Sequence, residues 1–144
     1  MNLSVIDACF PLAKQSCGMA ALWLRWHVQR CGGTLTEPQD ADAILVTCVD
    51  PRNWTVLKAV RKQYPGRRVF AGGAGALAPY SLGLHCDAVC VGNGERFVET
   101  LVRDGTDAAM ELPESWVDGQ SRDVEVAEGF PWSCPPIQCE DGAY

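Results

Sequence analysis

The sequence predicts an open, doubly wound α/β sheet of five mostly parallel strands, in the flavodoxin-like order 2-1-3-4-5, with an extended C-terminal tail. Three observations carry that expectation. Short aliphatic runs bounded by glycine, proline or acidic residues recur up to residue 105. Stretches with helical 3-4 spacing separate them, and strands alternating with helices join through parallel crossovers. After residue 105 prolines, acids and isolated tryptophans replace both patterns.

Each element follows from its own residues. "LSVIDAC", residues 3 to 9, reads as the first strand. A helical pattern then runs from about Lys14 to Cys31 and stops at Gly32-Gly33. On it Met19, Leu22, Trp23, Trp26 and Arg30 share one face, so the tryptophans read as core, and His27 lies beside the stripe without a role. "GTLTEP" offers a short second strand and "DAILVTC" the third. Asn53 to Tyr64 is a helix ended by Pro65-Gly66. "RRVFAGG" is the fourth strand, "CDAVCVG" the fifth, and "GERFVETLVRDG" a helix finished by Gly105. The sequence thus divides into a domain over residues 1–105 and a tail or linker over 106–144, in which "DVEVAE" suits a strand or hairpin arm.

Composition narrows the function classes. A chain of 144 residues, 47% apolar and 21% charged, is that of one globular domain with a real core. A net charge of −6 argues against a freestanding nucleic-acid binder, which needs clustered Lys and Arg. The densest basic group, Arg61, Lys62, Arg67 and Arg68, reads as a solvated face near a helix C-terminus. The N-terminus lacks the early basic residues of a secretory signal, and "MAALWLRWHV" is too short and too charged to span a membrane. A cytoplasmic setting is therefore expected, where eight cysteines point to metal or redox roles rather than disulfides.

In this strand order the first and third strands are neighbours, and ligands bind outside the carboxyl ends at that switch point. Cys9 ends the first strand and Cys48 the third, so two thiols are expected to face one crevice, with Cys17 within reach from the first helical turn. Gly72-Gly73-Ala74-Gly75 would form the next wall, where small residues let backbone approach a ligand. A cysteine closing a buried strand is also simply a small apolar residue.

"DACFPLAKQ" and "ADAILVTCVDP" resemble the N-terminal domain of the radical SAM methylthiotransferases, over roughly residues 3 to 105. The resemblance implies that Cys9 and Cys48 are the first two of three ligands to an auxiliary 4Fe–4S cluster used in sulfur insertion, while a separate radical SAM domain generates the radical. The family's asparagine before the second cysteine is Val46 here, and its threonine is Thr47. The third family cysteine is replaced within "AGGAGALAP", which leaves Cys17 or Cys86 to complete a set. "RRVFAGGAGALAPYSLGLHCDAVCVGNGERFVETLV" is similar to the cobalamin-binding-type domain of radical SAM proteins. That likeness implies pattern positions at Gly72, Gly73, Pro79, Asp87, Gly92, Gly94 and Glu95, with the four glycines and Glu95 as the cofactor-binding set. Gly92 and Gly94 suit a tight turn, and Glu95 at a helix start either faces a ligand or complements the dipole. The cobalamin-ligating histidine of "DxHxxG" is missing, so cobalamin held through histidine is not expected. Both families continue into a "CxxxCxxC" motif; "PPIQCEDGAY" resembles only the approach to it, so S-adenosylmethionine is expected only with a separate radical SAM domain.

The remaining signals are weaker. Cys86 and Cys90 on one strand would hold their sulfurs about 13 Å apart at roughly 3.3 Å per residue, too far to share a metal, which makes Cys90 a core residue. Cys134 and Cys139 have a spacing tolerated in zinc sites. "GGAGALA" follows the fourth strand and meets Pro79, unlike a dinucleotide fingerprint. His85 beside Cys86 reads as a loop residue. The expectation is an accessory domain, not catalytic alone, that carries an iron–sulfur cluster and partners a radical SAM catalytic domain or another protein. The family's substrates, tRNA or a ribosomal protein, would be recognised elsewhere. The alternative is a metal-free module that docks a partner or small ligand in the same crevice, or an assembly protein that keeps only the fold.

Overall fold

The computed structural model describes residues 1–9, 18–120 and 123–127. Cys17, Cys134, Cys139 and the expected first turn from Lys14 lie outside the described residues. In chain order the elements are β1 (Asn2–Asp7), α1 (Met19–Arg30), β2 (Thr34–Leu35), β3 (Ala43–Thr47), α2 (Trp54–Gln63), β4 (Arg68–Gly72), α3 (Pro79–Gly83), β5 (Ala88–Cys90), α4 (Glu95–Asp104), α5 (Thr106–Met110) and β6 (Ser115–Trp116). The sheet runs β2-β1-β3-β4-β5-β6. Its first five strands are parallel, and β6 pairs antiparallel with β5.

β3 is buried at every position, as a central parallel strand covered on both faces must be. Its alternation divides the core. Leu45 joins Leu3, Val5 and Phe70 on the face covered by α1 and α4, through Ala21, Val28, Phe97, Val98 and Leu101. Ile44, Val46 and Cys48 join Val69 on the opposite face, under Leu57 and Val60 of α2 and Leu82 of α3. Asp50 accepts a hydrogen bond from the Arg52 amide and forms a capping box with Asn53, which starts the chain into α2.

Three expectations need correction. The buried residues of α1 are Ala21, His27 and Val28, with Leu24 partly buried against the core, whereas Met19 is 56% exposed. Almost every position of "MAALWLRWHV" is apolar, so 3-4 spacing fits more than one stripe; the small Ala21 lets the helix approach the sheet, and the tryptophans flank it. Second, the basic group is not simply solvated. Arg68 lies 3.0 Å and Arg61 3.9 Å from Asp87, which also accepts from the Val69 amide, and Arg67 donates to the Gln39 carbonyl.

Third, the sheet has a sixth strand, β6, which α5 precedes after residue 105. Gly105, at φ 95°, turns the chain from α4 into α5. Ala109, Glu114 and Ser115 are fully buried. The Ser115 hydroxyl donates to the Ala109 carbonyl at 2.6 Å, and Arg96 forks onto the Glu114 carboxylate. Trp116 lies so close over α3 that a Cβ on Gly83 would stand 1.8 Å from its ring. Ala127 bridges Gly92 beyond β5. Among the described residues no helix is long and apolar enough to cross a membrane.

Candidate functional site

A cavity of about 580 Å³ opens over the carboxyl ends of β3, β4 and β5, between α1 and α4. Such a volume falls within the roughly 300–1,000 Å³ of small-ligand sites. Its floor is Leu45, Thr47, Phe70 and Gly72; Trp23 and Leu24 of α1 face Phe97 and Val98 of α4 across it. Met19 and Leu77, both largely exposed, also line it. The lining is mainly apolar, and Glu95 is its single charged residue among those described.

All five residues of the expected cofactor-binding set, Gly72, Gly73, Gly92, Gly94 and Glu95, line this cavity. The chain's own packing accounts for the glycines at two of these positions. Gly73 has φ 97°, and a Cβ there would stand 2.6 Å from the Cys48 carbonyl oxygen. Gly92 has φ 98°, with the Ala127 backbone nitrogen 2.6 Å from where its Cβ would be. These glycines bring the β4 and β5 turns close to neighbouring backbone and so shape the cavity rim. Glu95 opens α4, and its Oε1 is buried without a hydrogen-bond partner among the described residues.

The expected thiol pair is placed differently. Cys9 is exposed just past β1, where its amide donates to Asp7 at 2.9 Å, and neither Cys9 nor Cys48 lines the cavity. Asp7 also accepts from the Gly18 amide, so one buried carboxylate holds both ends of the β1–α1 connection. Cys48 is 1% exposed, and its sulfur joins the cluster under α2 and α3, on the far side of the sheet from the cavity. Burial, then the charges of Cys9 and Asp7, push its thiol from 9.0 up to about 12. Cys86, in the same cluster, is likewise pushed up to about 12, chiefly by burial and then by Cys48 and Asp87. Cys90 belongs to the other cluster and lines the cavity, also near 12 through burial and the charges of Glu114 and Glu95. Cys86 and Cys90 therefore lie on opposite faces and share no site.

No protein-family model matches the chain, and no curated protein matches it by sequence. Its chemistry is read from the site itself. Burial favours the protonated form of the three buried thiols, Cys48, Cys86 and Cys90. The cavity offers apolar walls, backbone at its glycine turns and one carboxylate. Sequence reading did not find the walls: Trp23 was expected in the core, and Phe70 and Phe97 read as ordinary strand and helix residues. Their facing positions follow from how α1 and α4 lie across the sheet, which no local pattern states.

Proposed function

We propose that this chain is a binding module that holds a flat, largely apolar ligand, neutral or cationic, in the cavity over β3, β4 and β5. The observation that carries this reading is the buried Glu95 Oε1, set in an apolar wall without a partner among the described residues. An acceptor left unpaired in that way costs about 1–3 kcal/mol, which a ligand N–H or O–H directed at it recovers. Anionic ligands fit poorly, because no Lys or Arg among the described residues lines the cavity to neutralise them. The resemblance to radical SAM accessory domains supplies a setting, in which the module presents its ligand to a catalytic domain or partner protein.

The test is binding of adenosine and of tryptamine, with ATP as the anionic control, followed by ligand-detected NMR. Adenosine or tryptamine should bind and ATP should not. Glu95→Gln should weaken binding roughly tenfold, the scale of one charge-assisted hydrogen bond. Ala20→Trp, which fills the cavity from an exposed position on α1, should abolish it. Equal binding by all three proteins would end the assignment.

A second reading keeps the iron–sulfur cluster. It is supported by the nearness of Cys9 to Cys48 across the ends of β1 and β3, where Cys9 adds to the rise of the Cys48 thiol. Cluster formation there would require Cys48 to ionise and its buried sulfur to turn out of the α2–α3 layer. Anaerobic reconstitution with iron and sulfide decides it. Iron–sulfur absorption lost in both Cys9→Ala and Cys48→Ala supports the cluster, and a colourless protein removes it.

A further inference from the structure

Outside the cavity, the seam between α1 and α4 gathers three side chains of metal-ligating type. His27 and Cys31 stand four residues apart on α1, hence one above the other on the same helical face. The C-cap position of Cys31 leaves its thiol half-buried at the helix end. Glu99 comes from the adjoining face of α4. His27 Nε2 lies 3.6 Å from Cys31 Sγ and 3.6 Å from Glu99 Oε1, and all three donor atoms are within 4.8 Å of one another.

The shape of this trio separates two chemistries. In a nucleophile relay the imidazole takes the thiol on one ring nitrogen and the carboxylate on the other. Here both partners converge on the same Nε2, which also lies 3.3 Å from the Glu95 carbonyl oxygen, so no proton can pass from sulfur through the ring to the carboxylate. Convergence of three donors on one region is instead the arrangement of ligands around an ion. With metal–ligand bonds of about 2.0–2.3 Å, the edges of a tetrahedral N/O/S site span about 3.3–3.6 Å. Both distances from Nε2 are already at that value, and only the sulfur–oxygen edge has to close. The ring is also held in place: it stacks on Trp23 at 5.0 Å and 10°, tilts against Trp26, and is buried. A ligand whose orientation is set beforehand binds metal more tightly.

We propose that His27 Nε2, Cys31 Sγ and Glu99 Oε1 form a site for a divalent cation of the zinc class. The fourth position is open to water or a further ligand on the Glu99 side, where the side chain is 54% exposed. One thiolate and one imidazole select zinc or cobalt over magnesium or calcium, which take oxygen ligands. A single cysteine is too few for an iron–sulfur cluster. On loading, the Cys31 thiol proton leaves to solvent, and Nε2 gives up its hydrogen bond to the Glu95 carbonyl as the ring proton passes through solvent to Nδ1, so three coordinate bonds form without redox change. The ion ties α1 to α4, the two helices that wall the cavity, although the site shares no residue with it.

The experiment is a titration of the metal-free full chain with Co²⁺, read by absorption, then competition with Zn²⁺. The wild type should give a thiolate-to-cobalt charge-transfer band and the visible bands of a tetrahedral ion, both removed by Zn²⁺. Cys31→Ser should lose the charge-transfer band, and Zn²⁺ should raise the melting temperature of the wild type but not of this variant. Glu99→Gln, an exposed change that spares the fold, should keep the band and weaken binding by about tenfold or more. A band that persists in Cys31→Ser would place the metal on other cysteines and overturn the site. So would affinity unchanged in Glu99→Gln, or no band in the wild type. None of these outcomes depends on whether the cavity binds adenosine or tryptamine.

Discussion

At Cys48 the chain requires a small group that tolerates complete burial. Its amide donates to the Gly72 carbonyl at 2.7 Å, its own carbonyl accepts from Gly75 at 2.9 Å, and its sulfur sits in the layer beneath α2 and α3. The same burial sets its chemistry. Cys48, Cys86 and Cys90 each have a folded thiol raised from 9.0 to about 12. A raised folded value means that the native state holds the proton more tightly than the unfolded chain. The resulting stability is fully present below 9 and is lost as pH rises from 9 towards 12, by up to about 1.4 kcal/mol per pH unit for each thiol. Urea unfolding midpoints should therefore stay level through neutral pH and fall steeply in that alkaline window. Cys48→Ala should show a shallower fall. A midpoint unchanged across the window would mean that these thiols are open to water.

Between elements, the most consequential contact joins the start of α4 to the start of β6. Burial alone pushes the Glu114 carboxyl up, but the Arg96 fork, a backbone hydrogen bond and the Arg96 charge outweigh it and leave it lowered from 4.5. Stability from this pair is thus present above the ordinary carboxylate range and is lost as pH falls through the folded value. Glu114 is fully buried while Arg96 reaches solvent, so removing Arg96 strands a carboxylate in the core. Arg96→Ala should cost about 3 kcal/mol in urea unfolding at neutral pH, the lower part of the usual range for a broken buried pair, because water reaches the arginine side. A loss below about 1 kcal/mol would class the contact with ordinary surface pairs. Gly83 and Trp116 make the matching contact on the other face, and together the two anchor a segment that reads as linker.

Across the whole molecule, the parallel sheet was legible because its strands are short apolar runs closed by glycine or proline. "DAILVTC" and "RRVFAGG" could hardly be anything else in alternation with helices. β6 was not legible: two residues, Ser115 and Trp116, carry no period, and their strand exists only because β5 offers an unpaired edge and Gly83 a place for the indole. The candidate site divides in the same way. Gly72 and Gly73 read as a crevice wall from their place after a strand, Gly92, Gly94 and Glu95 came from the family resemblance, and all five line the cavity. The cavity they rim is centred on β4, one strand beyond the expected crevice between β1 and β3.

What the sequence determined by itself is therefore local: which runs become strands, where helices stop, and which residues sit at the carboxyl edge. Period-2 alternation even states that Thr47 and Cys48 point to opposite faces of the sheet. It does not state which face carries the cavity, and this decided that Cys48 lies away from it. The tertiary structure alone placed Trp23 opposite Phe97, and Glu99 beside His27 and Cys31. Those contacts join α1 to α4 across long stretches of intervening chain, and their distances depend on how closely two helices settle on a shared sheet. Short-range forces encode the elements, while the packing of small residues such as Ala21 sets the separations on which binding depends.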